Sequence, residues 1–331
     1  IMGYFLPCYG GALHLTIHSF KNSGIFAKHA KPLEQSYTSE FRRDHMIKIT
    51  ADSTCDLSTE ILKEMDITIT PLVVMIGEKT YHDGVDISSA ELFQFVEGDK
   101  EICKTAAINA YEYDCFFEKI SPQYEAVVHI CIGSGFSSCY QNAVIAAEGF
   151  KNVFIIDSQN LSSGSGHLVF EAAKMARERK SLEDILRRLK EITPRVDASF
   201  VVDQLDYLYK GGRCSGLEMY GARVFQIKPC IEVINGKMIV GKKYNGSFKR
   251  CLEQYIKDKL KDKQDIDYSR VFITHPMCSA EIVDDVKATI AKLAHFDEVV
   301  ETPAGCTISS HCGPNTLGIL FLRTGNKCEN G

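Results

Sequence analysis

From Lys48 onward, short apolar runs exchange with amphipathic stretches, a pattern of strands alternating with helices. It predicts a strand over Ile47–Ala51, a turn at Asp52–Asp56 (DSTCD) and a helix over Ser58–Met65 that opens on a capping serine. A second strand is expected over Ile67–Val74, where Pro71 marks an edge or a bend. Gly77–Asp86 reads as a small hairpin, and Ser88 caps a helix over Ala90–Val96. A helix at Tyr111–Ile120, a strand at Ala126–Cys131, a helix at Cys139–Gly149 and a strand at Val153–Asp157 follow. This order implies a largely parallel sheet covered by helices.

After Asp157 the texture changes. Leu161–Lys180 and Leu182–Thr193 read as helices, and Phe200–Leu205, Gln226–Val233 and Lys237–Lys242 as strands. Asn235-Gly236 marks a tight hairpin turn between the last two. Strands at Val271–His275 and Leu317–Leu322 surround a helix over Ala280–Leu293. The expected class is therefore α/β in two domains: residues 46–160 around a parallel sheet, and 161–325 around a mixed sheet with helices on one side.

Residues 1–45 do not share this pattern. Pro7, Gly10, Gly11, His14 and His18 interrupt the apolar patches of IMGYFLPCYGGALHLTIHSF, which is too broken for a spanning helix. A basic n-region and a small-residue cleavage site are missing, so it does not read as a signal peptide. It is an extension whose status stays open: a leader, a fusion remnant or an early start.

Composition narrows the classes. A chain of 331 residues, 45% hydrophobic and 24% charged, has the make-up of a soluble globular protein of about two domains. A net charge of −5 with scattered basic residues carries no electrostatic footprint for nucleic acid. The thirteen cysteines are odd in number and include no C-x-x-C, and neither Cys131/Cys139 nor Cys306/Cys312 has metal-site spacing. They read as small core hydrophobes in a reducing cytosol, so the expected location is cytoplasmic, with no metal and no cofactor.

Candidate chemistry begins at VVHICIGSGFSSCYQNA (127–143), a strand running through a Gly/Ser loop into a helix. Helix N-termini expose unpaired N–H groups, so this loop is a candidate anion socket, or simply a tight turn needing small residues. It offers Ser134, Ser137 and Ser138 but no Lys, and so fails the P-loop pattern. Ser138 also stands where a dinucleotide fingerprint needs its third glycine. Asp52 sits where open sheets place ligands, either capping the next helix or holding a metal. Thr105 precedes a helix, as an N-cap or as a ligand hydroxyl. In YLYKGGRCS (207–215), Gly211-Gly212 projects Lys210 and Arg213, from a solvated turn or toward a carboxylate or phosphate. His311, beside Gly313-Pro314, is placed on a turn, structural or functional.

Taken in order, ITADSTCDL (49–57), ITPLVV (69–74), TYHDGVDIS (80–88), the Thr105 turn, IGSGFSSCYQNA (132–143) and VFIIDSQNLSSGSG (153–166) resemble the DegV family of fatty-acid-binding proteins. The resemblance continues through VDQLDYLYKGGR (202–213), IKPCIEVINGKM (227–238) and SSHCGPNTLGILF (309–321), about residues 46–323 in register. It implies two domains with one lipid in a tunnel between them. It further implies that Thr105, Ser137 and His311 hold the fatty-acid carboxylate, with Ser134, Gly135 and Ser138 supporting. Arg213, with Lys210, then falls where the family contacts a partner, a separate ATP-dependent fatty acid kinase. The chain departs from the family's T-S-Q-P-S at Thr105–Asn109, from L-S-G-T-Y at Phe136–Tyr140, and from H-T-G-P-G at His311–Asn315.

Physical chemistry is compatible with that implication. Burying a sixteen-carbon chain, at about 0.8 kcal/mol per methylene, gains roughly 10 kcal/mol before ordering costs, so the head-group site need only orient. Two hydroxyls and a helix N-terminus can donate to a carboxylate without a paired cation. His311, titrating near its ordinary range, would add a third donor or tune the carboxylate's charge. The expectation is a substrate-delivery protein, not a catalyst, that presents a fatty acid for acyl-phosphate formation. The rival is a stand-alone phosphotransferase of the hydroxy-ketone kinase type, which the missing loop Lys and the lack of clustered carboxylates for Mg²⁺ disfavour.

Overall fold

The computed structural model describes residues 46–98, 103–215 and 227–325. The extension at 1–45 lies outside them, as does Gln226, the expected first residue of a strand. Strand β1 (Ile47–Asp52) enters the core and is followed by α1 (Thr59–Glu64), whose first turn is capped by Ser58 Oγ accepting from the Ile61 amide. The single strand expected over Ile67–Val74 is in fact two. β2 (Thr68–Thr70) pairs parallel with β1, whereas β3 (Val73–Ile76) joins a different sheet. Pro71 lies between them, and the Leu72 amide leaves the ladder to donate to Ser53 Oγ.

β3 forms a three-stranded antiparallel sheet with β4 (Lys79–His82) and, beyond helix α2 (Ser89–Gly98), with β5 (Cys103–Ala106). The hairpin expected at Gly77–Asp86 therefore starts earlier, on β3. Helix α3 (Ala110–Ile120), β6 (Ala126–Cys131), α4 (Cys139–Ala147) and β7 (Val153–Asp157) complete the first half. The order β2-β1-β6-β7 is parallel throughout, as the alternating pattern predicted.

The second half opens with α5 (Ser163–Arg177) and α6 (Leu182–Ile192), then β8 (Val196–Val202), α7 (Asp206–Gly211), β9 (Cys214–Ser215), β10 (Ile227–Ile234) and β11 (Lys237–Asn245). Helix α8 (Phe248–Leu260), β12 (Ile266–His275), α9 (Ala280–Leu293), β13 (Glu298–Pro303), α10 (Cys306–Cys312) and β14 (Thr316–Arg323) follow. Seven strands form a mixed sheet in the order β13-β12-β14-β8-β10-β11-β9, separate from the parallel one. Asn235 and Gly236 both adopt left-handed backbone at the β10–β11 turn, as the Asn-Gly pair predicted.

Alternation along β8 and β14 sends their side chains to two cores. Ala198, Phe200, Leu320 and Leu322 share one with the parallel sheet and α5, while Val201, Ile319 and Phe321 face α8 and α9. The mixed sheet is thus covered on both faces rather than on one. No helix among the described residues is long and apolar enough to cross a membrane.

Candidate functional site

One cavity of about 150 Å³ gathers Thr105, Ser137, Ser138, Arg213 and His311 among apolar walls that include Leu72, Ile132, Phe136, Leu161, Met238 and Ile308. A smaller space of about 30 Å³, lined by Ala198, Phe200 and Leu320, shares Leu161, Ile308 and Cys312 with it. Five residues scattered over two hundred positions of sequence therefore meet at one place.

Thr105 sits on β5 opposite Val74, not at the start of a helix. The cap of α3 is Asn109, which forms a reciprocal box with Glu112, so the capping alternative for Thr105 falls away. His311 is likewise not on a turn: it occupies the last turn of α10. Its Nε2 lies 2.8 Å from Thr105 Oγ1. Burial, helped by the nearby Arg213 guanidinium, pushes the imidazole down to about 4, which corrects the expectation of near-ordinary titration. The ring is therefore neutral at pH 7.

Nδ1 of His311 has no partner among the described residues, and a methyl group added at Gly211 would lie 2.4 Å from it. A buried N–H without an acceptor is rarer than a buried unused lone pair, so we assign the proton to Nε2. Nε2–H then donates to Thr105 Oγ1, and the Thr105 hydroxyl proton is left to donate elsewhere.

Ser137 reaches the cavity from the loop between β6 and α4. Its Oγ accepts from the Cys139 amide at 3.3 Å and donates to Cys139 Sγ at 3.2 Å. Thiol sulfur is a weak acceptor, so this hydroxyl can be drawn to a better one. Ser134 and Gly135 have other tasks. Ser134 binds Asp157 through its amide (3.0 Å) and its hydroxyl (2.6 Å), and Gly135 packs under the β10–β11 turn. Neither is among the cavity's lining residues.

At the end of α7, Gly212 takes a left-handed conformation and reverses the chain. Arg213 is exposed and folds back so that Nη1 donates to the Gly211 carbonyl at 2.6 Å while lining the cavity. Lys210 is exposed on α7 and does not line it.

The Asp52 side chain makes no helix-capping bond and does not line the cavity. Its carboxylate accepts from Tyr113 Oη (2.6 Å) and the Ile132 amide (2.9 Å), with His129 Nε2 at 3.2 Å. Asp52, His129 and Cys131 are close enough to suggest metal ligands, yet both ring nitrogens and both carboxylate oxygens are engaged with protein, since Thr50 Oγ1 takes His129 Nδ1. The cluster is a buried hydrogen-bond network that fixes Ile132, the entry to the loop. Sequence reasoning also missed Thr307, one turn before His311 on α10, which lines the same cavity. Its i, i+4 spacing to His311 was the available signal, hidden because 306–312 did not read as a helix.

The family model for DegV, described as an uncharacterised protein of the DegV family, matches residues 46–324. A DegV domain-containing protein of Caldanaerobacter subterraneus subsp. tengcongensis is 33% identical over 279 residues, covering 83% of this chain and 98% of its own length. Among solved structures, a DegV family protein of Thermus thermophilus, described by its fatty acid binding, superposes with a TM-score of 0.76 at 23% identity over 84% of this chain and 99% of its own. A stearic-acid-binding protein of Eubacterium ventriosum gives a TM-score of 0.72 at 26% identity, over 84% and 99%.

Proposed function

The chain belongs to the DegV family, and from that premise we propose that it binds a long-chain fatty acid in the cavity, with the carboxylate at the Thr105, Ser137 and His311 cluster, His311 acting through the Thr105 hydroxyl it donates to. The observation that carries this reading is the Thr105–His311 pair, set against apolar walls that continue toward a second apolar space. A neutral imidazole donating to Thr105 Oγ1 leaves the threonine proton aimed at an anion, and the Ser137 proton moves from Cys139 Sγ to a carboxylate oxygen, a stronger acceptor. Burial of the acyl chain supplies affinity, and the hydroxyls orient the head.

The protein is a carrier rather than an enzyme. It presents the carboxylate to a separate ATP-dependent kinase, where a carboxylate oxygen bonds to the γ-phosphorus and ADP leaves. Arg213, exposed beside the head group, meets the incoming phosphate or the kinase, with Lys210 adding charge nearby. The rival phosphotransferase reading is not favoured, since the loop between β6 and α4 has no lysine for a nucleotide.

Native mass spectrometry of the purified protein is expected to find one bound fatty acid. An empty protein that takes up no added oleate overturns the proposal. Thr105→Val should weaken oleate about tenfold, the loss of one hydrogen bond to a charged group, and Thr105→Ser should restore it. Arg213→Ala should bind oleate and fail in acyl-phosphate formation with the kinase. If it fails to bind oleate, the division of roles is wrong.

A further inference from the structure

Thr307 is 5% exposed and lines the cavity, and its Oγ1 has no hydrogen-bond partner among the described residues. Among the described residues three threonine hydroxyls are buried without partners, Thr54, Thr70 and Thr307, and of these Thr307 alone lines this cavity. Its position explains the orphan. It stands in the first turn of α10, where no preceding helical carbonyl is in reach, and the Ala304 carbonyl is taken by the hydroxyls of Ser89 and Ser309. Its own amide and carbonyl are spoken for, by Asp83 (3.0 Å) and by Ser310 Oγ (2.9 Å). A buried hydroxyl that forgoes its hydrogen bond is costly, and valine would fill the same space without that cost.

We propose that Thr307 Oγ1 is a ligand-binding group, and that the cavity takes an acyl chain carrying an oxygen substituent near its carboxylate, a hydroxy fatty acid. This rests on the fatty-acid reading of the same site and names its substrate class. Threonine in a helix divides between two side-chain rotamers, so a turn about χ1 can carry Oγ1 into the place the methyl group holds and so bring the hydroxyl to the ligand. Thr307 and His311 are four residues apart on one face, about 6 Å along the axis. A carboxylate at Thr105 and His311 therefore places the first few carbons of the chain beside Thr307. The apolar wall includes Leu72, Ile132, Phe136 and Ile308, and Thr307 offers a buried, unpartnered hydroxyl to a substituent on those carbons.

The test is a competition between hexadecanoic acid and 3-hydroxyhexadecanoic acid, read by native mass spectrometry on the delipidated protein and on Thr307→Val and Thr307→Ser. The native protein is expected to prefer the hydroxy acid about tenfold, the value of one well-made hydrogen bond. Thr307→Val should bring the ratio to about one or below, and Thr307→Ser should keep it. Hexadecanoic acid bound as well as the hydroxy acid by the native protein overturns this inference and leaves the fatty-acid reading standing. Binding of neither acid overturns that reading itself. The ratio in the native protein decides the matter even where Thr307→Val fails to fold.

Discussion

Replacing Gly135 with alanine is expected to cost about 3 kcal/mol of stability, at the upper end of the usual overpacking penalty, and to lower Tm by about 4–5 °C. A methyl group at this position would lie 2.0 Å from the Gly236 carbonyl oxygen. The methyl carbon is fixed directly to the backbone of the loop between β6 and α4, and the oxygen belongs to the backbone of the β10–β11 turn. No side chain can move aside. Relief requires separating the loop from the hairpin, and the same loop carries Phe136, Ser137 and Ser138 into the cavity while β11 carries Met238. The variant should therefore lose oleate affinity as well as stability. Gly149→Ala is the control, because its added methyl would meet only the Ala146 carbonyl at an ordinary 3.7 Å, and it should stay within about 0.5 kcal/mol of the native protein. Scanning calorimetry of both variants is the measurement. A Gly135→Ala protein melting within a degree of the native one would show that the contact between loop and hairpin does not hold the site together.

The elements that were legible in the sequence are those with an unbroken apolar run or a clear buried face. β6 and β7 fall at their expected residues, and so does α9, whose Ser279 caps a helix that buries Val283, Val286 and Ile290. The strand expected at Phe200–Leu205 instead runs over Val196–Val202, because Asp197 and Ser199 are buried polar residues that look solvent-facing in sequence. Asp197 is neutralised by Arg323 Nε at 2.9 Å and by Lys259, and Ser199 bonds Tyr255. Partners more than fifty residues away decide that strand, and no local pattern carries them. Helix α8 is a different kind of miss. Ser247 caps it and Cys251, Leu252, Tyr255, Ile256 and Leu260 share its buried face, so its signal was present and went unread.

For the site, the residue types were legible and their surroundings were not. Thr105, Ser137, Ser138, Arg213 and His311 do meet, but the sequence could not say that Thr105 lies on a strand or that His311 is neutral through burial. Seven residues between Gly305 and Gly313-Pro314 make a turn-like string, and only the packing of α10 against its neighbours turns it into a helix. Ser134 shows the reverse case. A serine in a Gly/Ser loop looks like a ligand hydroxyl, yet the Asp157 carboxylate at the end of the neighbouring strand has already taken both its donors.

Stability of the ligand-free protein should peak near pH 6.5, because three buried groups titrate in opposing directions. Burial pushes His167 down to about 4 from an ordinary 6.5, although the Leu320 carbonyl partly opposes it, and His311 falls to a similar value. Between pH 4 and 6.5 the unfolded chain therefore binds two protons that the folded one refuses, and stability rises with pH. Asp56 works the other way. Burial lifts its carboxyl from 3.8 to about 8, despite the bonds it accepts from Ser162 Oγ and the Gly305 amide, and Asp83 adds to the rise. The folded state holds that proton where the unfolded state has lost it, so Asp56 removes stability from about pH 4 up to about pH 8. On the acid side the two imidazoles outweigh the one carboxyl, leaving a net rise of roughly 1.4 kcal/mol per pH unit. Above pH 6.5 only Asp56 still titrates among the three, and roughly 2 kcal/mol should be lost by pH 8. Beyond pH 9 buried thiols such as Cys55 and Cys306, both raised to about 12, extend that decline. Urea unfolding at half-unit steps from pH 4.5 to 8.5 measures the curve. Asp56→Asn keeps an acceptor for the Gly305 amide but cannot ionise, so its curve should stay level from pH 6.5 to 8. His167→Gln should level the acid side, where one imidazole then balances one carboxyl. If Asp56→Asn loses stability over that interval as steeply as the native protein does, the alkaline decline has another source and the buried carboxyl at the start of α10 is not protonated.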